Sequence, residues 1–327
     1  MFAMKIDKFV LSMLVAVLLS FLAPWLGAKN SPLHLSLVTK WGVALVFFLH
    51  GANLSFYAIK SGASNWRLHL FIQSCTFILY PLIGFAFFYF AKDFISFPVR
   101  LGFFYLCALS STISSSVTLT GIGKGNVAGA VFDATISGIL GIFITPFLVS
   151  IIMQDANLGH FDIKNAIFDV AKTLLLPFVL GQISRPIILN PITKHKKIIG
   201  FVDKSVLVLI VFVAFCNANY DKIWAKIAPV EIIIILISII SLLAFVLFVT
   251  IEAAKIFGFS HQDKVAGVFC GVTKSLANGA PIAAILFASS PYLGIILIPI
   301  MIYHQSQLIA CSILAGKWGA NQSISNR

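Results

Sequence analysis

Residues 110–126 read SSTISSSVTLTGIGKGN, and residues 271–281 read GVTKSLANGAP. The first stretch places eight hydroxyl side chains in its first eleven residues, followed by Gly121, Gly123, Lys124 and Gly125. Apolar blocks flank both stretches. Irregular backbone deep in a bilayer is tolerated only where protein or a water-filled cavity satisfies its polar groups. The two stretches are therefore expected to be the interrupted centres of two membrane-spanning helices.

The remainder of the chain fits that reading. Of 327 residues, 59% are hydrophobic and 10% charged, with mean hydropathy +1.00. A soluble domain averages about 25% charged residues, so this chain could hardly build a water-exposed surface. Apolar runs near the ~20 residues needed to cross a bilayer recur along the whole length. They give ten expected spans, at 9–28, 37–56, 68–91, 100–121, 127–152, 166–189, 200–218, 229–256, 265–288 and 291–315. The connections are short, which predicts an all-α polytopic membrane protein without a soluble domain. The first apolar block follows Lys5 and Lys8 as a signal peptide would. It exceeds a typical h-region of roughly 7–15 residues, and no A-x-A site follows, so it is expected to stay as the first span.

Charge sets the expected orientation. With ten spans, one side of the membrane carries fourteen of the lysines and arginines and the other eight, Lys274 being set aside as deep within a span, with Lys194, Lys196 and Lys197 clustered in one short loop. That bias places both termini in the cytoplasm. The formal charge of +12 then reflects topology and contact with anionic lipid heads. The basic residues form no continuous face with interleaved aromatics, so nucleic acid is not an expected partner. The five cysteines lie in apolar stretches without CxxC or His-rich spacing. They read as buried small hydrophobes, and neither metal nor cofactor is expected.

Ten spans divide into five and five. LGIFITP at 140–146 recurs as LGIILIP at 293–299, each in the last span of its half and each after a polar, glycine-bearing span. Five is odd, so such halves must be oppositely oriented, as in secondary transporters with paired broken helices at the midplane. The expected first repeat covers about 9–152 and the second about 166–315 of a single transmembrane unit, 1–327.

At the first centre, hydroxyls can bond to carbonyls one turn earlier and bend the helix. Helix packing also recruits Ser, Thr and Gly, but it wants them on one face, and Ser114, Ser115 and Ser116 spread over more than half a turn. At the second centre, Pro281 supplies no N–H and presses on the carbonyl of Ala277, which predicts a break near Asn278–Gly279. Lys274 has two readings: a functional group inside the membrane, or a snorkelling side chain reaching the cytoplasmic interface. Asp133, about two turns into the fifth span, could accept a cation or pair with Lys274. Gln73 and Thr76, spaced i,i+3, can face one cavity. The residues expected to bind substrate are Ser114, Ser115, Ser116, Thr118, Lys274, Ser275 and Asn278.

SSTISSSVTLT with GKGN and LGIFITP, FCGVTKSLANGAP at 269–281, IYHQSQ at 302–307 and LLLPFVLGQISR at 174–185 together resemble the bile acid:sodium symporter superfamily, and within it the bacterial SBF-like branch. The resemblance covers nearly the whole chain. It implies ten helices in two inverted five-helix repeats, with a panel domain from helices 1, 2, 6 and 7 and a core domain from helices 3–5 and 8–10. Helices 4 and 9 would be discontinuous where they cross. It also implies a small or amphipathic organic anion as substrate, alternating access, and commonly sodium coupling, in the inner membrane of a bacterium. The sodium-coupled members carry side-chain ligands where this chain has Val117, Ala130, Ala134, Phe269 and Thr273. The ion-binding set left open is Ser116, Thr120, Asp133, Gln73, Thr76 and Thr273. Sodium, protons, or Lys274 in place of a bound cation remain alternatives for the coupling.

Two other function classes compete with this one. Loss of the sodium ligands is compatible with a non-transporting membrane regulator of ion or envelope homeostasis. An intramembrane enzyme has no GxSxG or HExxH motif, and the adjacent Lys274 and Ser275 do not face each other on an intact helix.

Overall fold

The computed structural model describes residues 8–29, 31–54, 62–155, 163–288 and 290–325. Residues 55–56, where the second span was expected to end, lie outside them. Among the described residues there is no strand. The helices are α1 (Lys8–Leu22), α2 (Leu35–Asn53), α3 (Trp66–Phe90), α4 (Phe97–Ala108), α5 (Ile113–Ile122), α6 (Val127–Asp155), α7 (Lys164–Lys194), α8 (Lys196–Tyr220), α9 (Pro229–Ile256), α10 (His261–Val272), α11 (Leu276–Leu286) and α12 (Leu293–Ser325).

Among the described residues, eight helical spans are long and apolar enough to cross a bilayer, counting α10 with α11 as one. They become nine when α4 and α5, bent by 56° at their break, count as one more. The expected first span differs. Its helix stops at Leu22 after 15 residues, because Pro24 opens a 3₁₀ turn over Pro24–Leu26 and cannot donate to a continuing helix. Two prolines in the long helices follow widened turns. π-turns at Cys75–Leu79 and Ala171–Leu175 each end two residues before a proline, Pro81 and Pro177. An extra residue in the turn relieves the clash of the ring with the preceding carbonyls.

The chain divides into two compact units. The first comprises Met1–Leu54, Lys164–Ala228 and Ala280–Leu297. Within it α2 and α7 meet backbone to backbone. A Cβ on Gly51 would lie 1.9 Å from the Phe178 carbonyl oxygen, and one on Gly181 would lie 1.9 Å from that of Phe48. Small residues are what allow membrane helices this approach. The end of α1 is tied to α8, where Asn219 donates to Ser20 (3.0 Å) and Asn217 accepts from the Lys29 amide (3.0 Å).

The second unit comprises Ser55–Ile163, Pro229–Gly279 and Ile298–Arg327. Its interior holds many polar side chains. Ser110, Ser111, Ser116, Thr120, Asp133, Ser137, Thr145, Thr273, Lys274 and Gln307 are buried. The outside of the chain is apolar by contrast, with Leu22, Phe90, Ile187 and Ile256 exposed by 73–84%, as contact with hydrocarbon requires.

Candidate functional site

The polar interior forms where two helices stop and restart. α4 ends at Ala108, and Leu109 is extended (φ −76°, ψ 155°). α5 begins at Ile113 after an extended Thr112. α10 ends at Val272, Thr273 is extended (φ −76°, ψ 139°), and α11 begins at Leu276. The interruptions touch: the Ser275 amide donates to the Ser110 carbonyl at 3.0 Å. Asn278 Nδ2 donates to Ser110 Oγ at 3.1 Å.

Each interruption frees backbone groups that must find partners inside the protein. On the α4 side, Thr145 donates to the Ala108 carbonyl (2.8 Å), and the Ser111 amide donates to Ser137 Oγ (2.9 Å). Ser111 Oγ donates to the Cys270 carbonyl (2.7 Å) and lies 3.2 Å from Thr273 Oγ1. On the α10 side, the hydroxyls of Tyr80 and Tyr303 contact each other and both donate to the Val272 carbonyl, at 2.7 and 2.9 Å. Gln307 accepts from the Lys274 amide (2.8 Å) and donates to the Lys274 carbonyl (2.9 Å). Ser275 caps α11 by accepting from the Asn278 amide (3.1 Å). Close approach also matters. A Cβ on Gly141 would lie 2.7 Å from Ser110 Cβ, and one on Gly279 would lie 2.6 Å from a Leu109 methyl.

Lys274 is fully buried. Its Nζ donates to the carbonyls of Thr76 (3.1 Å), Cys107 (3.0 Å) and Leu109 (2.6 Å), and lies 4.0 Å from the centroid of the Tyr80 ring. Cys107 and Leu109 sit at the C-terminal end of α4, which carries partial negative charge. The snorkelling reading is therefore excluded. The pairing with Asp133 is replaced as well. Asp133, fully buried, is held by His69 Nδ1 at 2.9 Å and by Gln73 Nε2, which lies 3.3 Å from its carboxylate and 3.1 Å from its carbonyl oxygen.

The other expected site residues fall into two groups. Ser116 donates to the Thr112 carbonyl, Thr120 to that of Ser116 (2.7 Å), Thr118 to that of Ser114 (2.8 Å) and Thr273 to that of Phe269 (2.8 Å). These hydroxyls are committed to their own helices. Ser115 Oγ, in the first turn of α5, is buried without a hydrogen-bond partner. Ser114 is exposed, and Asn278 is half-buried. Of the six residues in the ion-binding set, hydrogen bonding among the described residues joins Gln73 to Asp133 and Thr120 to the carbonyl of Ser116. Thr76 Oγ1 and Gln73 Oε1 are buried without partners. No group of three or more His, Cys, Asp or Glu among the described residues could hold a metal ion.

The second break lies earlier than the sequence suggested, whereas the first falls where the polar stretch begins. In the first, Leu109–Thr112 are the unwound residues, and Ser114–Ser116 already belong to α5. In the second, the chain turns at Thr273–Ser275, while Asn278, Gly279 and Pro281 lie within α11. Pro281 removes one bond near the start of a helix, whereas Gln307 and the Ser275 cap supply the bonds that make the earlier break stable. His69 was missed altogether. It stands one turn before Gln73 on the same face of α3, a spacing that pairs it with the same neighbour.

The sequence is similar to known proteins along nearly its whole length. A family model described as the SBF-like CPA transporter family matches residues 7–320. The chain is 38% identical over 313 residues to "Putative symporter YfeH" of Escherichia coli, covering 96% of this chain and 93% of that protein. It is 31% identical over 315 residues to "Sodium/bile acid cotransporter 7" of Mus musculus, covering 94% and 91%. The protein of the same name from Danio rerio is 29% identical over 312 residues, covering 94% and 92%.

Proposed function

The chain belongs to the SBF-like CPA transporter family, and we propose on that premise that it is a secondary active transporter of a small organic anion, working by alternating access. The family is one of transporters and not of enzymes. The observation that carries the reading is the contact of two helix interruptions through Ser275 and Ser110. It joins the restarts of α5 and α11, whose first amides have no partner inside their own helices and favour an anion.

We assign recognition of the anion to Ser114, Ser115 and Asn278, with Ser275 shaping the start of α11. The partnerless Ser115 hydroxyl supports this, because it is a donor held in reserve beside the first amides of α5. Thr118 and Ser116 have their hydroxyls bonded to carbonyls one turn earlier and are assigned no direct contact with the anion. Lys274 contributes its charge from behind, through the carbonyls of the break.

The finer architecture we propose is ten transmembrane helices in two inverted five-helix repeats, a single transporter in the cell inner membrane with both termini cytoplasmic. The composition of the two units supports it. The first unit draws on the expected helices 1, 2, 6 and 7, the second on 3–5 and 8–10. The segment Ala280–Leu297 departs from that division by belonging to the first unit.

Reconstitution into proteoliposomes tests the function. Labelled carboxylates and sulfonates, including a bile acid, would be offered under a sodium gradient, a proton gradient and none. Saturable uptake of one anion class above empty vesicles is expected. Absence of uptake across the panel would leave the regulator reading standing instead.

A further inference from the structure

Three backbone carbonyls converge on one point inside the second unit. They belong to Thr76, in the π-turn of α3, and to Cys107 and Leu109, at the end of α4. Each is turned inward by an irregularity of its helix. Carbonyls freed in this way are the donor set that holds a dehydrated monovalent cation inside membrane proteins. The Tyr80 ring closes a further side, 4.0 Å from the same point, and an aromatic face also attracts a cation.

The point is already occupied by Lys274 Nζ. An ammonium has three protons and no acceptor, and three carbonyls receive them at 3.1, 3.0 and 2.6 Å. The backbone of Lys274 is fixed at both its N–H and its C=O by Gln307, so the stem enters from a clamped residue. Two carboxylates among the described residues of the unit are buried, and both are engaged elsewhere: Asp133 by His69 and Gln73, and Glu231 by the amide and hydroxyl of Ser96. Lys274 is thus neutralised by carbonyl dipoles rather than by an ion pair.

We propose that the Lys274 ammonium is the tethered occupant of a monovalent-cation seat, so that no free sodium enters the break of α4. The charge that another protein would import with each cycle is here a fixed part of the chain. The seat rests on geometry alone; the consequence, a transport step that needs no sodium at this point, rests on the transporter reading. A seat built for –NH₃⁺ makes a further demand. Once the lysine stem is removed, the vacated space should take ammonium or methylammonium, which reproduce the directed N–H bonds, in preference to choline, which has none.

The test uses the full chain in detergent and follows its melting temperature in sodium, choline, ammonium and methylammonium chlorides at equal ionic strength. Lys274→Ala in choline should melt roughly 10 °C below wild type, because three buried carbonyls lose their partner. Methylammonium or ammonium should restore at least half of that loss saturably. Lys274→Met, whose stem still fills the space, should lose stability without recovering in any salt. An alanine variant that melts alike in all four salts overturns the proposal. Should that variant not fold in choline, cell-free synthesis into nanodiscs in each salt becomes the measurement. Folded protein recovered only with the ammonium-type cations supports the seat, and equal failure in all four overturns it. Either result is independent of whether any anion is transported.

Discussion

Gln307 satisfies both backbone polar groups of Lys274, accepting its N–H at 2.8 Å and donating to its C=O at 2.9 Å. One side-chain amide thereby substitutes for the helical bonds that α10 and α11 cannot make at their junction. Gln307→Leu should cost roughly 2–4 kcal/mol, since two buried backbone groups lose their partners. Chemical or thermal unfolding in detergent reads this directly, and an unchanged midpoint would show that the break is held elsewhere.

The buried charges are predicted to act independently. A double-mutant cycle on His69→Phe and Asp133→Asn should give a coupling of about 1 kcal/mol or more, as for residues in direct hydrogen-bond contact. The cycle on Lys274→Met and Asp133→Asn should be additive within about 0.5 kcal/mol. Strong coupling in the second cycle would restore the Lys274–Asp133 pairing that the spacing of charges suggested.

Among the serines, position rather than chemistry should decide the effect on uptake. Ser115→Ala and Asn278→Ala should each reduce transport efficiency by roughly five- to tenfold, about the worth of one hydrogen bond. Ser116→Ala and Thr120→Ala remove hydroxyls already given to their own helix and should change it by less than about twofold. Initial-rate uptake by the four variants, normalised to folded protein, separates the groups. The reverse order would move the site to the buried face of α5.

In the first unit, Gly51→Leu and Gly181→Leu should each prevent α2 and α7 from closing. Any Cβ at either position would stand 1.9 Å from a carbonyl oxygen of the opposing helix, and backbone cannot yield as a side chain can. A loss of folded, monodisperse protein on size exclusion is expected. Gly200→Ala, with nothing within 4 Å of the added carbon, is the matching control and should behave as wild type.

The membrane class and the two polar centres could be read from the sequence because composition and helix-breaking residues are local properties. The positions of the breaks could not. Both depend on distant partners: Gln307 lies 33 residues from Lys274, and Thr145 lies 37 from Ala108. Pro281 is an intrinsic breaker, but tertiary hydrogen bonds place the second interruption at 273–275, while the first, at 109–112, opens the polar stretch itself. Lys274 drew attention as a charge in an apolar span. Its partners are main-chain carbonyls, which any sequence possesses, so no residue type could announce them. Charge counting pointed to Asp133 instead. The first span was overestimated because apolar composition continues past Pro24, where the hydrogen-bonded helix does not.

The central claim is that an organic anion moves through the crossing of the two interruptions. Its most direct measurement is accumulation of a labelled carboxylate or sulfonate inside proteoliposomes, comparing wild type with Ser115→Ala and Asn278→Ala. Wild type should concentrate the anion above its external level under one of the imposed gradients, and both variants should lose most of that accumulation while remaining folded. Accumulation that survives both substitutions unchanged would contradict the account.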